Sequence, residues 1–222
     1  MKILTVDIGG NNVKVLLQGE TRKRKFPSGP QLTPQQMLAG IKTITEDWKY
    51  DHVSIGFPGP VKDDKPVREP VNLGTGWVDF NYARSFGCPV RMINDAAMQA
   101  TGSYTGGEML FLGLGTGLGT VLIYNDCTIP MELGHLPYKK ERSFEEYLGT
   151  AGLERLGIKK WKKHVLNVIR ILTDAFGPEY VVLGGGNAKK FTAEELPDNV
   201  ILGDNMNAFV GGVRLWEATK QE

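Results

Sequence analysis

An α/β fold made of two similar halves is what this sequence predicts, and three observations carry that expectation. Apolar runs of strand length alternate with helical patterns along all 222 residues, the rhythm of strands interleaved with helices. The order strand, glycine turn, strand occurs twice, as LTVDIGGNNVKVLL from Leu4 and as LFLGLGTGLGTVLI from Leu110, which is how a diverged internal duplication reads. The 28 glycines exceed the ~7% of average usage and gather at Gly9-Gly10, between Gly113 and Gly119, at Gly184 to Gly186 and at Gly211-Gly212. Glycine lets backbone approach a ligand with no Cβ in the way, so several glycine loops closing on one ligand are expected. Two coupled lobes around a cleft follow, divided as 1–105 and 106–222.

Each element has its own signal. Lys2 to Asp7 and Val13 to Leu17 read as strands joined by the tight turn Gly9-Gly10-Asn11-Asn12, and Arg22 to Lys25 reads as an edge strand. Thr33-Pro34 supplies an N-cap and a proline at the first helical position, opening a helix to about Trp48. Val53 to Gly56 is a buried strand. The proline-rich GFPGPVKDDKPVREP that follows predicts irregular loop. Val90 to Ile93 is a strand and Asp95 to Gly102 a short helix. In the second half Met109 to Leu114 and Thr120 to Tyr124 flank Gly115-Thr116-Gly117. From Lys159 to Phe176, Trp161, Val165, Val168, Ile169, Leu172 and Phe176 share one helical face, and Gly177-Pro178 ends it. Tyr180 to Leu183 is a strand opening into GGGN, and a last helix is expected over Asn207 to Thr219. Inside it Gly211 and Gly212 each cost ~1 kcal/mol relative to Ala, which points to close packing or ligand approach.

Composition narrows the function classes. Hydrophobic residues are 41% and charged residues 23%, enough for a buried core. Lys+Arg is 26 against Asp+Glu 25, so no global field recruits nucleic acid or an anionic membrane. The two cysteines, Cys88 and Cys127, match no metal or redox spacing, and a reducing compartment is expected. The amino-terminal apolar run breaks at Asp7, too short for a signal peptide or a span. A cytoplasmic protein is the expectation.

A glycine turn after a strand presents bare N–H groups that suit phosphate. Asp7 beside the first turn can hold Mg²⁺ through water, and Lys14 just past it offers a point charge. Taken alone, these residues suit a plain hairpin with an acid beside it equally well. GLGTGLG lacks the last glycine of G-x-G-x-x-G, and no G-x-x-x-x-G-K-[ST] occurs, so dinucleotide dehydrogenases and P-loop NTPases both recede.

The motifs in order resemble the ROK family (repressor, open reading frame, kinase) of the actin-like ATPase superfamily, and within it the polyphosphate glucokinases, over nearly the whole chain. DIGGNNVKV at Asp7 and GLGTGLG at Gly113 are similar to its two phosphate motifs, with Asn11 where Thr is usual. GFPGPV at Gly56 and NLGTGW at Asn72 resemble sugar-side loops, NDAAMQATG at Asn94 the catalytic motif, ELGH at Glu132 the sugar motif, FEEYLG at Phe144 a helix bearing a second sugar carboxylate, and GGGNAKK at Gly184 the adenosine motif. The resemblance implies an actin-like (ribonuclease H-like) duplicated fold and a kinase that phosphorylates the 6-hydroxyl of glucose, using Mg²⁺ and either ATP or inorganic polyphosphate. It implies Asp95 as the general base, and Asn72, Asn94, Glu132, His135 and Glu145 (with Glu146 as rival) at the sugar. It places Asp7, Gly9, Gly10, Asn11, Asn12, Lys14, Gly115, Thr116, Gly117, Gly184, Gly185, Gly186 and Asn187 at the donor, and implies a homodimer. Trp77 reads more readily as core than as a sugar platform. The zinc-bearing C-x-C-G-x-x-G-C stretch of many relatives is missing after His135, where the chain runs HLPYKKERSFEEY; no structural zinc is expected.

The alternatives are a ROK kinase for another hexose or an N-acetylhexosamine, or a sugar-sensing regulator without activity. ROK repressors carry an N-terminal helix-turn-helix, whereas this sequence starts at the first phosphate strand. The basic clusters Arg22 to Lys25, Lys139-Lys140-Arg142, Lys159 to Lys163 and Lys189-Lys190 read mostly as solvated faces. Of these, Lys189-Lys190 is the best candidate for guiding a polyanionic donor.

Overall fold

The computed structural model describes residues 1–217. They form two compact units, Met1–Gly102 with the segment from Ala208, and Ser103–Asn207. The division expected at 105/106 thus lies close to the first crossing, but the last helix belongs to the first unit, a return that no local pattern in its sequence reveals.

In the first unit, β1 (Ile3–Ile8), β2 (Asn12–Leu17), β3 (Arg24–Pro27), β4 (His52–Phe57) and β7 (Val90–Asn94) form one sheet in the order β3-β2-β1-β4-β7. The first three run antiparallel, and β4 and β7 join parallel to β1. In the second unit, β8 (Met109–Leu114), β9 (Leu118–Tyr124), β10 (Cys127–Met131), β13 (Tyr180–Gly184) and β14 (Val200–Leu202) give the order β10-β9-β8-β13-β14 with the same directions. The repeat seen in the sequence is therefore a repeat of topology.

Helix α1 (Pro34–Ile44) begins with a capping box between Thr33 and Gln36. It ends four residues short of the expected Trp48. Thr45 closes it by donating from Oγ1 to the Ile41 carbonyl at 2.8 Å, and the turn that follows delivers Trp48 to the core. β3 sits two residues later than expected because Phe26, opposite Val13, packs on the core of this unit. The loop expected after β4 contains a small hairpin, β5 (Val61–Lys62) and β6 (Lys65–Pro66). Asp63 and Asp64 both take left-handed φ at its tip. Asp64 accepts from the Met92 N–H at 2.8 Å, so the hairpin caps edge strand β7. Helix α2 (Tyr82–Phe86) and helix α3 (Asp95–Ser103) flank β7 in sequence.

The second unit carries a two-stranded β11 (Pro137–Lys139) and β12 (Arg142–Ser143), then α4 (Phe144–Leu148), α5 (Thr150–Leu156) and α6 (Ile158–Phe176). Trp161, Val165, Val168, Ile169 and Leu172 of α6 are buried as the periodicity predicts, whereas Phe176 at its end is exposed. The last helix, α7 (Asn207–Glu217), has its expected final residues Ala218 and Thr219 outside the described residues. Among the described residues no helix is long and apolar enough to cross a membrane.

Candidate active site

In the first unit the chemistry collects where β1 ends. Asp7 and Lys14 are direct cross-strand partners in the β1–β2 ladder, so their side chains share a face. Lys14 Nζ donates to Asp7 Oδ2 at 2.8 Å, and the Asp7 side chain is only 6% exposed. The turn between the strands is closed by the Gly9 N–H to the Asn12 carbonyl at 3.0 Å. Ser28, just past β3, supports it: its Oγ donates to the Gly9 carbonyl at 2.6 Å and its N–H to the Asn11 carbonyl at 3.1 Å. Nothing local in the sequence links Ser28 to this turn; only the β2–β3 pairing does.

Asp95 is the first residue of α3. The capping falls to its neighbour: Asn94 Oδ1 accepts from the Ala97 N–H at 3.1 Å, while Asn94 Nδ2 donates to the Gly59 carbonyl at 3.2 Å. Asn94 thus ties the helix to the GFPG turn and leaves one amide N–H uncommitted. Asp95 Oδ1 accepts from the Ala96 N–H at 2.8 Å. Gly56 lets α3 lie close on β4, since a Cβ there would meet Met98 and stand 3.3 Å from Asp95 Cα. The Asp95 side chain keeps a partly open side, but crowding by protein on the others, with the Asp7 carboxylate nearby, pushes its pKa up to about 7 against the opposing pull of Lys14. Asp7, Lys14 and Asp95 are therefore one electrostatic group.

The NLGTGW segment behaves differently. Trp77 is fully buried against Phe57 and belongs to the core. Glu69 accepts from the Trp77 and Val78 N–H groups, and Tyr82 donates to the Trp77 carbonyl at 2.9 Å. Gly74 fits where a Cβ would meet the Leu32 carbonyl oxygen at 2.9 Å. Asn72 is exposed, next to this anchored stretch.

In the second unit the turn Gly115-Thr116-Gly117 is held from two sides. Thr150 at the start of α5 donates from N and Oγ1 to the Gly115 carbonyl, both at 3.0 Å. Asn187 Nδ2 donates to the Gly115 carbonyl and to Thr150 Oγ1, both at 3.2 Å. Gly185 has φ +82, and any Cβ there would collide with the Leu114 backbone. The GGGN segment thus packs directly on the Gly115-Thr116-Gly117 turn, with Asn187 bracing it and Lys189 and Lys190 exposed beyond.

Of the neighbours Glu145 and Glu146, the second is held in a capping box. Glu146 Oε2 accepts from the Ser143 N–H at 2.7 Å while Ser143 Oγ accepts from the Glu146 N–H. Glu145 points instead to the glycine turn: Cβ atoms at Gly117 and Gly134 would stand 2.6 and 3.5 Å from its Oε2. That brings it beside ELGH. Glu132 and His135 face each other at 3.4 Å, each 60% exposed, and their turn is tied to β9 through Thr120 Oγ1, which donates to the Met131 carbonyl and accepts from the Leu133 N–H. Among the described residues no cluster of three or more His, Cys, Asp or Glu could hold a metal ion. A single carboxylate such as Asp7 suits Mg²⁺ shared with donor phosphates.

Comparison with known proteins fits this arrangement. A polyphosphate glucokinase of Mycobacterium tuberculosis (strain ATCC 25618 / H37Rv) is 28% identical over 208 residues, spanning 83% of this chain and 77% of the relative. The inorganic polyphosphate/ATP-glucomannokinase from Arthrobacter sp. strain KM superposes with a TM-score of 0.83 at 22% identity, covering 98% of this chain and 99% of that one. A ROK family glucokinase from Streptomyces griseus, in complex with glucose and AMPPNP, gives 0.76 at 19% identity, covering 97% and 99%. At these identities the two structures establish the fold, the actin-like one of ROK sugar kinases. Residues 3–151 match the ROK family, more than half of the sequence, and the chain belongs to that family.

Proposed function

We propose that this chain moves a phosphoryl group from inorganic polyphosphate or ATP onto the 6-hydroxyl of glucose, with Asp95 as the general base. It is a phosphotransferase with an alcohol acceptor. The observation that carries the reading is the Asp95 carboxyl, raised to about 7 beside Asp7 and Lys14. A base poised near the working pH combines a useful ionised fraction with real proton affinity.

Phosphoryl transfer asks chiefly for positioning and charge stabilisation. Asp95 Oδ2 takes the proton of the sugar hydroxyl as its oxygen bonds to phosphorus and the bond to the leaving phosphate breaks. Asn94 fixes Asp95 through the helix cap and offers its spare N–H to the sugar. Glu145, Glu132, His135 and Asn72 are assigned to sugar hydroxyls. The N–H groups of Gly9, Gly10, Asn11 and Asn12, with Lys14, suit donor oxygens, as do those of Gly115, Thr116 and Gly117. Gly184 to Gly186 and Asn187 are assigned to the nucleoside when ATP is the donor. Mg²⁺, when bound, neutralises donor phosphates, and Asp7 Oδ1, not used by Lys14, is the oxygen that would hold it through water. We assign the protein to the cytoplasm as a homodimer; light scattering in solution checks the latter, and a monomer at all concentrations would remove it.

A coupled assay of glucose, mannose, fructose and N-acetylhexosamines, each with ATP and with polyphosphate, tests the reading. Glucose is expected to react with both donors; a purified protein that turns over no sugar would leave the sensor reading standing. EDTA is expected to abolish turnover and Mg²⁺ to restore it, whereas full activity in EDTA contradicts the metal's role.

Glu145→Gln is expected to raise the KM for glucose by about 10-fold or more, the loss of a hydrogen bond to a charged group worth roughly 1.5–3 kcal/mol. Glu146→Ala instead removes the side-chain half of the capping box, a hydrogen bond worth about 1 kcal/mol of stability, with KM unchanged. Reversed effects in steady-state kinetics would exchange the two roles.

Polyphosphate offers no base or ribose, so its binding depends on backbone nests and lysines. Lys189→Ala with Lys190→Ala is expected to weaken polyphosphate use more than ATP use. Added salt should also depress the polyphosphate reaction more steeply. Equal losses with both donors across a salt series would refute this assignment.

A further inference from the structure

We propose that the groove between the β11–β12 hairpin and helix α6 is a separate anion site that takes an oligophosphate. It is a cavity of about 360 Å³ lined by Tyr138, Lys139, Lys160, Lys163, His164 and Asn167, within the size range of small-ligand sites. It lies wholly in the second unit. The residue types on α6 are unusual for their spacing: Lys160, Lys163, His164 and Asn167 stand at i, i+3, i+4 and i+7, so they form one stripe beside the buried apolar one.

The lining consists of donors. Among the described residues none of the three lysines makes an ion pair, although neighbouring Lys162 is paired with Glu195. Lys139 Nζ lies 5.1 Å from the centre of the Tyr138 ring. The histidine is oriented by a short relay. Asn167 Nδ2 donates to the Tyr138 oxygen at 2.8 Å. The Tyr138 hydroxyl and His164 Nδ1 are hydrogen-bonded at 3.1 Å. Burial, then Lys139 and Arg155, lower the His164 pKa. The ring is further fixed by Tyr147, whose centroid is 4.7 Å away. Three ammonium groups beside an oriented imidazole, with no carboxylate among the lining residues, match a ligand made of acceptor oxygens and several negative charges. A run of phosphates fits that chemistry, and an inorganic polyphosphate chain is the source we assign. That source, though not the anion chemistry, rests on the donor reading above.

Calorimetric titration with inorganic tripolyphosphate tests the site without turnover. The triple variant Lys139→Ala, Lys160→Ala, Lys163→Ala is expected to bind about 10-fold or more weakly, three charge contacts of surface strength acting together. Removing three exposed lysines elsewhere (Lys42→Ala, Lys49→Ala, Lys65→Ala) is expected to change it less than about 2-fold, since none of them lines the groove and exposed charges are screened by salt. In the wild type, tripolyphosphate is expected to shift the His164 ring resonances in NMR, and ATP-driven turnover should be equal in the groove variant and the wild type. Unchanged tripolyphosphate affinity in the groove variant, or an unmoved His164 resonance, overturns the proposal. If polyphosphate proves not to be a phosphoryl donor while the groove variant still loses tripolyphosphate, the donor reading falls and the anion site stands.

Discussion

Asp95→Asn is expected to lower kcat by about 10²–10⁴-fold, the usual contribution of a positioned base, while the Kd for glucose moves little. Asparagine keeps the shape and can still accept from the Ala96 N–H, but it cannot take the sugar proton. In the wild type, kcat/KM should fall with one proton below about pH 7, where Asp95 becomes protonated. The same shift has a stability consequence that separates the role from simple misfolding. An unfolded aspartate ionises near ~3.9, whereas folded Asp95 holds its proton up to about 7. Between these values the native state binds the additional proton, so raising the pH through this window drains stability from the wild type. The neutral amide has nothing to ionise. The Tm of the variant should therefore gain on the wild type as pH rises through that window, even as turnover is lost. Near wild-type kcat in Asp95→Asn, measured with either donor, rules out the base.

Much of this arrangement was legible in the sequence because local chemistry dictates it. The two glycine hairpins need turn residues that only a few sequences supply, and both strands of each hairpin alternate or run apolar as their burial requires. The α6 stripe was readable for the same reason. The capping box that separates Glu146 from Glu145 was also present, as Ser143 three residues before Glu146, a signal strong enough to have decided between them. Asn94 and Asp95 are both good cap residues, so the sequence left the cap open until the helix start was fixed. Other features were not legible because their cause is distant. Ser28 and Thr150 reach their turns across 19 and 35 residues. The three-residue β14 is defined by its pairing with β13, and β10 tolerates Pro130 because it lies at a sheet edge.

Gly211→Ala is expected to destabilise the protein and to lower kcat, although alanine favours a helix by ~1 kcal/mol over glycine. The reason is where α7 returns to the first unit. A Cβ at Gly211 would land on the Met98 carbonyl oxygen of α3, and one at Gly212 would stand 2.5 Å from Thr5 Oγ1 of β1. These glycines admit close packing of α7 rather than a ligand. Other contacts hold the helix in this position: Ser54 Oγ donates to the Gly212 carbonyl at 2.5 Å, Trp216 Nε1 donates to Ser54 Oγ at 2.8 Å, and Arg214 donates to the Thr101 carbonyl at 2.7 Å. Arg91 donates to the Leu215 carbonyl. With its neighbours so anchored, α7 cannot slide away, and the added methyl must push α3. Overpacking of this kind costs about 1–3 kcal/mol or more, and at roughly 2–4 °C per kcal/mol for this size the Tm should drop by about 2–12 °C. Met98 lies one turn beyond Asp95 on α3, so the displaced helix carries Asp95 with it, and, with Asp95 as the proposed base, kcat should fall even well below the lowered Tm. Val210→Ala, a truncation on the exposed side of the same helix, provides the comparison and should leave both quantities near wild type. A Gly211→Ala protein with unchanged Tm and kcat would mean that α7 does not set the position of α3.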